Sequence, residues 1–211
     1  AFHLIICNIA HGVSCGERYQ LKQSSSANVR IIGGMWRHRK VAFPSHFTIR
    51  PSPDRVRETL FNWLQGDIAG RRCLEPFAGS GILSFEALSR GAARVTLADT
   101  VPGVVSSLKT EAAKLGALTP ACDIHLTDGY ALLKAPPPLA DLVFLDPPFA
   151  EARFEELFEA LSAEARYPDH LLVYVESAAP VPEPSYASFG FEPIKQKHAG
   201  RVTFALFARC A

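Results

Sequence analysis

Between residues 72 and 176, short apolar runs alternate with stretches of helical periodicity. The runs are RCLEP (72–76), RVTLAD (94–99), CDIHL (122–126), DLVFLD (141–146) and LLVYVE (171–176). Residues 81–90, 102–115, 128–134 and 151–165 separate them and read as helices, the last with Phe154, Leu157, Phe158 and Leu161 on one face. Such alternation predicts an α/β chain with a doubly wound, mostly parallel seven-stranded sheet. Runs as continuous as DLVFLD suit strands covered on both faces. Tyr186–Ile194 and Val202–Arg209 predict a closing antiparallel pair. In a sheet of this kind a ligand lies outside the carboxyl ends of the strands, where strand order reverses. The residues that follow each strand are therefore the functional candidates.

The first part of the chain is different. Residues 28–63 hold seven basic side chains, Arg30, Arg37, Arg39, Lys40, Arg50, Arg55 and Arg57, against Asp54 and Glu58. That segment carries +5, residues 1–27 carry +1, and the remainder carries −5 within a net charge of +1. A basic front on an acidic body predicts an anionic partner, and nucleic acid is one such partner. Val29–Ile32 is a short β-branched run closed by Gly33 and Gly34, and Met35–Phe43 reads as a strand or hairpin arm. Ser52 is placed to cap a helix whose first position is Pro53 and whose apolar face holds Val56, Leu60, Trp63 and Leu64. Residues 1–27 read as an irregular extension without a readable role. The expected division is thus 1–27, a basic hairpin and helix over 28–66, and the α/β body over 67–211.

Composition excludes several classes. A chain of 211 residues with 48% hydrophobic and 20% charged residues is an ordinary globular protein, not a disordered tail or a collagen-like chain. Cys7, Cys15, Cys73, Cys122 and Cys210 form no C-x-x-C pair and fit reduced thiols of the cytoplasm rather than a zinc site or disulfide framework. No apolar run approaches the roughly 20 residues of a membrane span, and Phe2–Ala10 lacks the basic leader of a signal peptide. No metal-ligand cluster is apparent, so no metal is expected, and nothing demands an oligomer, so a monomer is expected.

Four strand ends carry the chemistry. After the first strand, Glu75-Pro76-Phe77-Ala78-Gly79-Ser80-Gly81 joins an acid to a glycine turn at a helix start. Such a loop either cradles a nucleotide-like ligand or simply turns tightly, and it lacks the full G-x-G-x-x-G spacing. Asp99 ends the second strand, 20 residues beyond Gly79, where a carboxylate accepts ribose hydroxyls or caps a helix. Asp128-Gly129 follows the third strand, placed for an adenine amino group or again for a cap. Asp146-Pro147-Pro148-Phe149 follows the fourth. Two prolines lack amide donors and hold an extended backbone, which leaves the Asp146 side chain and the Pro147 carbonyl as fixed acceptors. Two acceptors suit an exocyclic NH₂ group, and Phe149 offers a face on which a planar base stacks. The alternative is a plain turn with a core phenylalanine.

FAGSG and DPPF together resemble the class I S-adenosylmethionine-dependent methyltransferases that act on amino groups. VRIIGGMWRHRKVAFP, IRPSPDRVRETLFNWL, FAGSGILSFEALSRGA, LVFLDPPF and LLVYVES, in that order, resemble one family, the 16S ribosomal RNA guanine-N2 methyltransferases of the RsmD type. The resemblance covers Val29 to Arg209. It departs from the family in having Glu75 where Asp is commoner and Asp99 where Glu is commoner, and both changes keep the carboxylate.

The resemblance implies a Rossmann-like class I fold over 67–211 and S-adenosylmethionine as cofactor. It implies a cofactor pocket lined by Glu75, Phe77, Ala78, Gly79, Ser80, Gly81, Asp99, Asp128 and Gly129. Asp146, Pro147, Pro148 and Phe149 would hold the base. The partner would be 16S rRNA or the assembling 30S subunit, gripped by Arg30, Arg37, His38, Arg39, Lys40, Arg50 and Arg55. The target base has to be unstacked to enter such a pocket. Three other readings share parts of this pattern. An adenine-N6 DNA or protein-glutamine methyltransferase uses the same pocket but usually carries Asn where this chain has Asp146. A nicotinamide-dependent oxidoreductase has no use for DPPF. A non-catalytic RNA-binding assembly protein has no need of an intact pocket.

Overall fold

The computed structural model describes residues 26–45, 51–117, 119–134, 140–150, 152–163 and 167–210. Arg50 and the triple proline at 136–138 lie outside the described residues, as do residues 1–25. A hairpin of β1 (Ser26–Arg30) and β2 (Lys40–Pro44) comes first, followed by α1 (Asp54–Trp63). Then come β3 (Arg72–Glu75), α2 (Ile82–Ser89), β4 (Arg94–Asp99), α3 (Pro102–Leu115), β5 (Cys122–Leu126), α4 (Gly129–Lys134), β6 (Leu142–Leu145), α5 (Phe154–Ser162) and β7 (Leu172–Ser177). A short α6 (Pro184–Ala187) leads to β8 (Phe191–Ala199) and β9 (Val202–Arg209). The large sheet has the order β5-β4-β3-β6-β7-β9-β8. Its first five strands are parallel, and β9 runs antiparallel between β7 and β8. This is the expected seven-stranded, mostly parallel sheet. None of the described helices is long and apolar enough to cross a membrane.

Strand alternation divides the core in two. On one face Cys73, Leu97, Phe144, Tyr174 and Phe204 pack with Val56, Leu60 and Phe61 of α1, Phe85 of α2 and Leu108 of α3. On the other, Leu74, Val143, Leu145, Val173 and Phe207 pack with Leu157, Phe158 and Leu161 of α5. Each such side chain contributes roughly 1.5–3 kcal/mol by leaving water. Ile31 and Val41 of the N-terminal hairpin segment belong to the first cluster, so this segment shares the core of the sheet.

Polar groups complete that junction. Every residue of α2 is buried, Glu86 included. Its carboxylate accepts the amides of Ile32 at 2.8 Å and Gly33 at 2.7 Å, the Arg90 Nε at 2.8 Å and the Arg57 guanidinium at 3.3 Å. Arg57 also donates to Asp54 and to the Arg30 carbonyl. A carboxylate accepts about four bonds, so Glu86 is saturated and ties the hairpin, α1 and α2 together.

Four local expectations are corrected. Met35–Arg39 form a turn rather than a strand arm. Gly34 adopts a left-handed backbone (φ 75°), and a Cβ there would lie 1.8 Å from the Ser89 carbonyl oxygen. That carbonyl and the Ser89 hydroxyl accept the Met35 and Trp36 amides, which holds the turn on the end of α2. Residues 184–187 form a helical turn, so the strand expected from Tyr186 starts at Phe191. Ser52 makes no capping bond, because α1 starts at Asp54 and the cap position falls on Pro53. Arg57, counted above with the basic front, is completely buried in the network just described.

Glu86→Ala should leave the Ile32 and Gly33 amides without acceptors and take from Arg57 its buried carboxylate partner, and cost about 3–5 kcal/mol in denaturant unfolding. Glu86→Gln, which keeps an acceptor, should cost less. A loss under roughly 1 kcal/mol for the alanine variant would show that the network does not hold the hairpin to α2.

Candidate active site

The chain runs outward in both directions from the junction of β3 and β6, so the carboxyl ends of β3 to β7 share one edge. Glu75 ends β3, Asp99 ends β4, Asp146 follows β6, and Glu176 lies near the end of β7. Glu75, Asp146 and Glu176 each stand two residues beyond a side chain of the α1-facing cluster (Cys73, Phe144 and Tyr174), so all three project to that face.

The loop after β3 is held by its neighbours. The Ala78 amide donates to the Ala98 carbonyl at 2.8 Å. Gly79 (φ 50°) and Gly81 (φ 67°) take left-handed conformations, and a Cβ on Gly81 would lie 2.6 Å from Leu108. Asp99 accepts the Gly79 amide at 3.1 Å with one oxygen and the Val101 amide at 2.9 Å with the other. It thus ties the loop to the start of α3 and still has lone pairs for a ligand. Ala78 and Ser80 are buried, and Phe77 meets Tyr130 edge-on with ring centroids 5.2 Å apart. Asp128 caps α4 through the Ala131 amide at 2.9 Å. Gly129 allows α4 to start against the loop, since a Cβ there would lie 2.5 Å from the Pro76 carbonyl.

The carboxyl groups differ in their partners. Glu75 is buried and accepts the Ser84 amide at 3.0 Å. Burial pushes its pKa up to about 8 against the pull of Ser84, and the charges of Glu176 and Asp99 add to the rise. Asp146 accepts no hydrogen bond from the described residues. Burial holds its carboxyl well above the ordinary range, and the charges of Glu176 and Glu75 raise it further. Glu176 is also raised by burial, opposed by bonds from the Ser52 hydroxyl and from the Tyr174 hydroxyl, the latter at 3.0 Å, and by the charge of Arg57. Leu145 pairs with Val175, which sets Asp146 beside Glu176 on neighbouring strands. Pro147 is buried, Pro148 is exposed, and Phe149 is 44% exposed, with its ring free for a planar partner.

Glu176, Tyr174 and Ser52 were not among the sequence candidates. LLVYVE carries the same signal as RVTLAD and DLVFLD, an apolar strand ending in an acid, and that signal marks Glu176. Ser52 has no comparable mark, because its partner is distant in the chain.

The basic candidates do not act alike. Arg30, Arg37 and His38 line one shallow depression of about 260 Å³ with Ile32 and Glu58. Arg30 pairs with Asp54 at 3.1 Å, and Arg39 donates to the Lys114 carbonyl at the end of α3. Arg37, Lys40 and Arg55 are exposed and have no ion-pair partner among the described residues. No group of three or more His, Cys, Asp or Glu suited to a metal occurs among the described residues.

Residues 29–208 match the family model described as conserved hypothetical protein 95. The ribosomal RNA small subunit methyltransferase D of Escherichia coli (strain K12) is 39% identical over 186 residues, which cover 88% of this chain and 92% of that protein. The protein of the same name from Haemophilus influenzae is 36% identical over 186 residues, 87% of this chain and 95% of its own. A solved Escherichia coli structure named as a methyltransferase is similar with a TM-score of 0.76 at 37% identity, covering 88% of this chain and 99% of that one. A Haemophilus influenzae structure named as a methylase gives 0.71 at 36% identity, over 88% and 100%.

Glu75 has a measurable cost. Its folded pKa of about 8 lies above the ordinary 4.5, so the folded chain holds a proton that the unfolded chain lacks between those values. Stability falls as pH rises through that interval. Glu75→Gln removes this dependence and keeps an acceptor for Ser84. Its unfolding free energy relative to the parent should climb from pH 5 to pH 8 by on the order of a few kcal/mol. A difference that stays constant with pH would show that Glu75 ionises as freely as an exposed carboxylate.

Proposed function

The chain belongs to the conserved hypothetical protein 95 family, with the ribosomal RNA small subunit methyltransferases D as its relatives, and we propose that it methylates the exocyclic N2 amino group of a guanine in 16S ribosomal RNA. It is an rRNA methyltransferase with a class I methyltransferase fold. S-adenosylmethionine is the proposed methyl donor, and naked 16S rRNA or the assembling 30S subunit in the cytoplasm is the proposed substrate. The observation that carries the reading is Asp146, a carboxyl without a hydrogen-bond donor, beside two prolines and the exposed Phe149 ring.

The residues at the strand ends fit that donor. Glu75 is a buried carboxyl whose ionised form has one amide to support it, and a cationic ligand would complete its environment. Asp99 retains lone pairs for ribose hydroxyls, while Gly79, Gly81 and Gly129 keep side-chain bulk away from the loop. Phe77, Ala78, Ser80 and Asp128 complete the proposed lining. When bound, S-adenosylmethionine supplies an electrophilic methyl group on a sulfonium.

The protein's own task is to orient and to accept a proton. The Asp146 Oδ atoms and the Pro147 carbonyl accept the two N–H groups of the incoming amine, and this directs the nitrogen lone pair away from them. Phe149 stacks on the base, a contact worth about 1–3 kcal/mol. As the nitrogen gains its methyl group it sheds one proton, and an Asp146 oxygen receives it before passing it to water. Arg30, Arg37, His38, Lys40 and Arg55 present cations to the RNA backbone. Arg39 does so with whatever capacity its bond to Lys114 leaves, and Arg50, outside the described residues, is a further proposed RNA contact.

The test offers methyl-labelled S-adenosylmethionine with 30S particles or naked 16S rRNA that lacks the modification, with DNA and protein as controls. N2-methylguanosine in the RNA is the expected product by mass spectrometry. Label in DNA adenine or in protein glutamine instead would overturn the substrate assignment. Asp146→Ala should bind the donor within about threefold of the parent and lose roughly 10²–10⁴-fold in turnover. Undiminished turnover would remove Asp146 from its role.

A further inference from the structure

β8 stands apart from the rest of the sheet. It is an edge strand paired only with β9, and its residues from Glu192 to His198 are exposed without interruption. β9, by contrast, is buried over Thr203–Phe207. Nothing in the described fold covers either face of β8 along this stretch. Its free edge is poorly suited to adding another strand: Pro193 has no amide to donate, and the register shifts between Pro193 and Lys195. A second copy pairing there would also bring Lys195 and Lys197 against their own counterparts. What the strand offers is its side chains.

Those side chains are cationic and unspent. Elsewhere most cations are used within the fold: Arg57 and Arg90 on Glu86, Arg72 on Asp141, Arg94 on Asp123, Lys134 on Glu156, and Arg209 on the Leu161 and Tyr167 carbonyls. Lys195, Lys197 and Arg201 have no hydrogen-bond or ion-pair partner among the described residues. His198 is exposed beside them, with its ring bonded to the Thr203 hydroxyl at 2.9 Å. The one acid of the strand, Glu192, lies at its far end.

The position matters as much as the charge. β9 is antiparallel to β7, and Ser177 pairs with Thr203, so the β8–β9 turn at Gly200 and Arg201 stands at the carboxyl end of β7. Glu176 pairs with Phe204, and Phe204 pairs with Lys197. Asp146 follows Leu145, the partner of Val175. Asp146, Glu176, Phe204 and Lys197 therefore form one transverse row across β6, β7, β9 and β8. Three strand spacings place Lys197 roughly 14 Å from Asp146. A stacked nucleic-acid strand carries a charge about every 3.4 Å, so that distance spans about four phosphates. β2 packs on α3, and the basic turn at 35–39 is fixed to the C-terminal ends of α2 and α3, so the β8–β9 arm is the basic surface that shares the carboxyl edge with Asp146.

We propose that the β8–β9 arm is a second phosphate-contact surface, on which Lys195, Lys197 and Arg201 hold the backbone of the same RNA whose base enters beside Asp146. This rests on the reading of the chain as an RNA methyltransferase. The substrate strand is then gripped next to the pocket, at the same edge of the sheet. A base leaving its stack beside an anchored stretch has its position fixed along the strand.

The experiment measures binding of the full chain to naked 16S rRNA by fluorescence anisotropy over a series of salt concentrations. It compares the parent with Lys195→Ala/Lys197→Ala/Arg201→Ala, three exposed changes, with folding checked by thermal melting. The variant should bind about tenfold more weakly or worse at intermediate salt. Its log–log salt slope should be shallower by about 2, at roughly 0.7 per phosphate lost along a single strand. Lys195→Arg/Lys197→Arg should restore the parent values, and donor affinity should not change. Unchanged affinity and slope would overturn the proposal. So would a loss confined to methylation of 30S particles with naked-RNA binding intact, which would assign the arm to a protein contact. Binding is read without turnover, so a parent chain that binds rRNA but methylates none would refute the enzymatic reading and leave this comparison decisive.

Discussion

A parallel sheet brings the carboxyl ends of its strands to one edge, and in this chain three of them end in carboxyl groups, two buried and one, Asp146, half-buried. Glu75, Asp146 and Glu176 stand on neighbouring strands β3, β6 and β7, on the face covered by α1. Removing a carboxylate from water is costly, and the group responds by holding its proton. All three are raised above the ordinary range with burial as the main cause, and each raises or is raised by another. A fold selected for stability alone would place apolar residues at such positions. The cluster makes sense as an environment for a cation and an amine, and the proposed reaction brings both.

The N-terminal segment helps to build that edge. Ile31, Val41 and α1 share the core cluster of β3, β4 and β6, and Glu86 binds the hairpin to α2 through two backbone amides. Ser52, just before α1, is close enough to Glu176 to lower its pKa. One end of the basic segment is therefore held on the C-terminal ends of α2 and α3, while the other approaches the carboxyl cluster. Substrate contacts made by Arg37 or Lys40 are thereby held in fixed relation to Asp146 by packing.

Much of this was legible in the residues. Strand–helix alternation is a local pattern, so the order of elements from β3 to β7 could be read directly. The acids that follow those strands could be read as well, because each closes an apolar run. What escaped reading depends on distant partners. Gly34 signals a turn, but only Ser89, more than 50 residues away, accounts for the turn continuing through Arg39. Ser52 and Pro53 look like a helix start, and the helix is there, but it begins one residue later, with its cap position on Pro53. Arg57 resembles its exposed neighbour Arg55 until α2 brings Glu86 against it. Glu176 itself carried the strand-end signal and was passed over as the last residue of a buried strand. The exposure of β8 on both faces has no local signature, since its charged residues fit any edge strand.

The central claim is that Glu75, with its pKa pushed up to about 8, holds its proton until a cationic ligand replaces it. It is tested most directly by calorimetric titration of the full chain with S-adenosylmethionine at pH 7 in buffers of different ionisation enthalpy. Drawing Glu75 into its ionised form releases a proton, so the observed binding enthalpy should vary with the buffer in the direction of net proton release. Glu75→Gln should diminish that release. Tight binding with no proton exchange, or with proton uptake, would contradict the account.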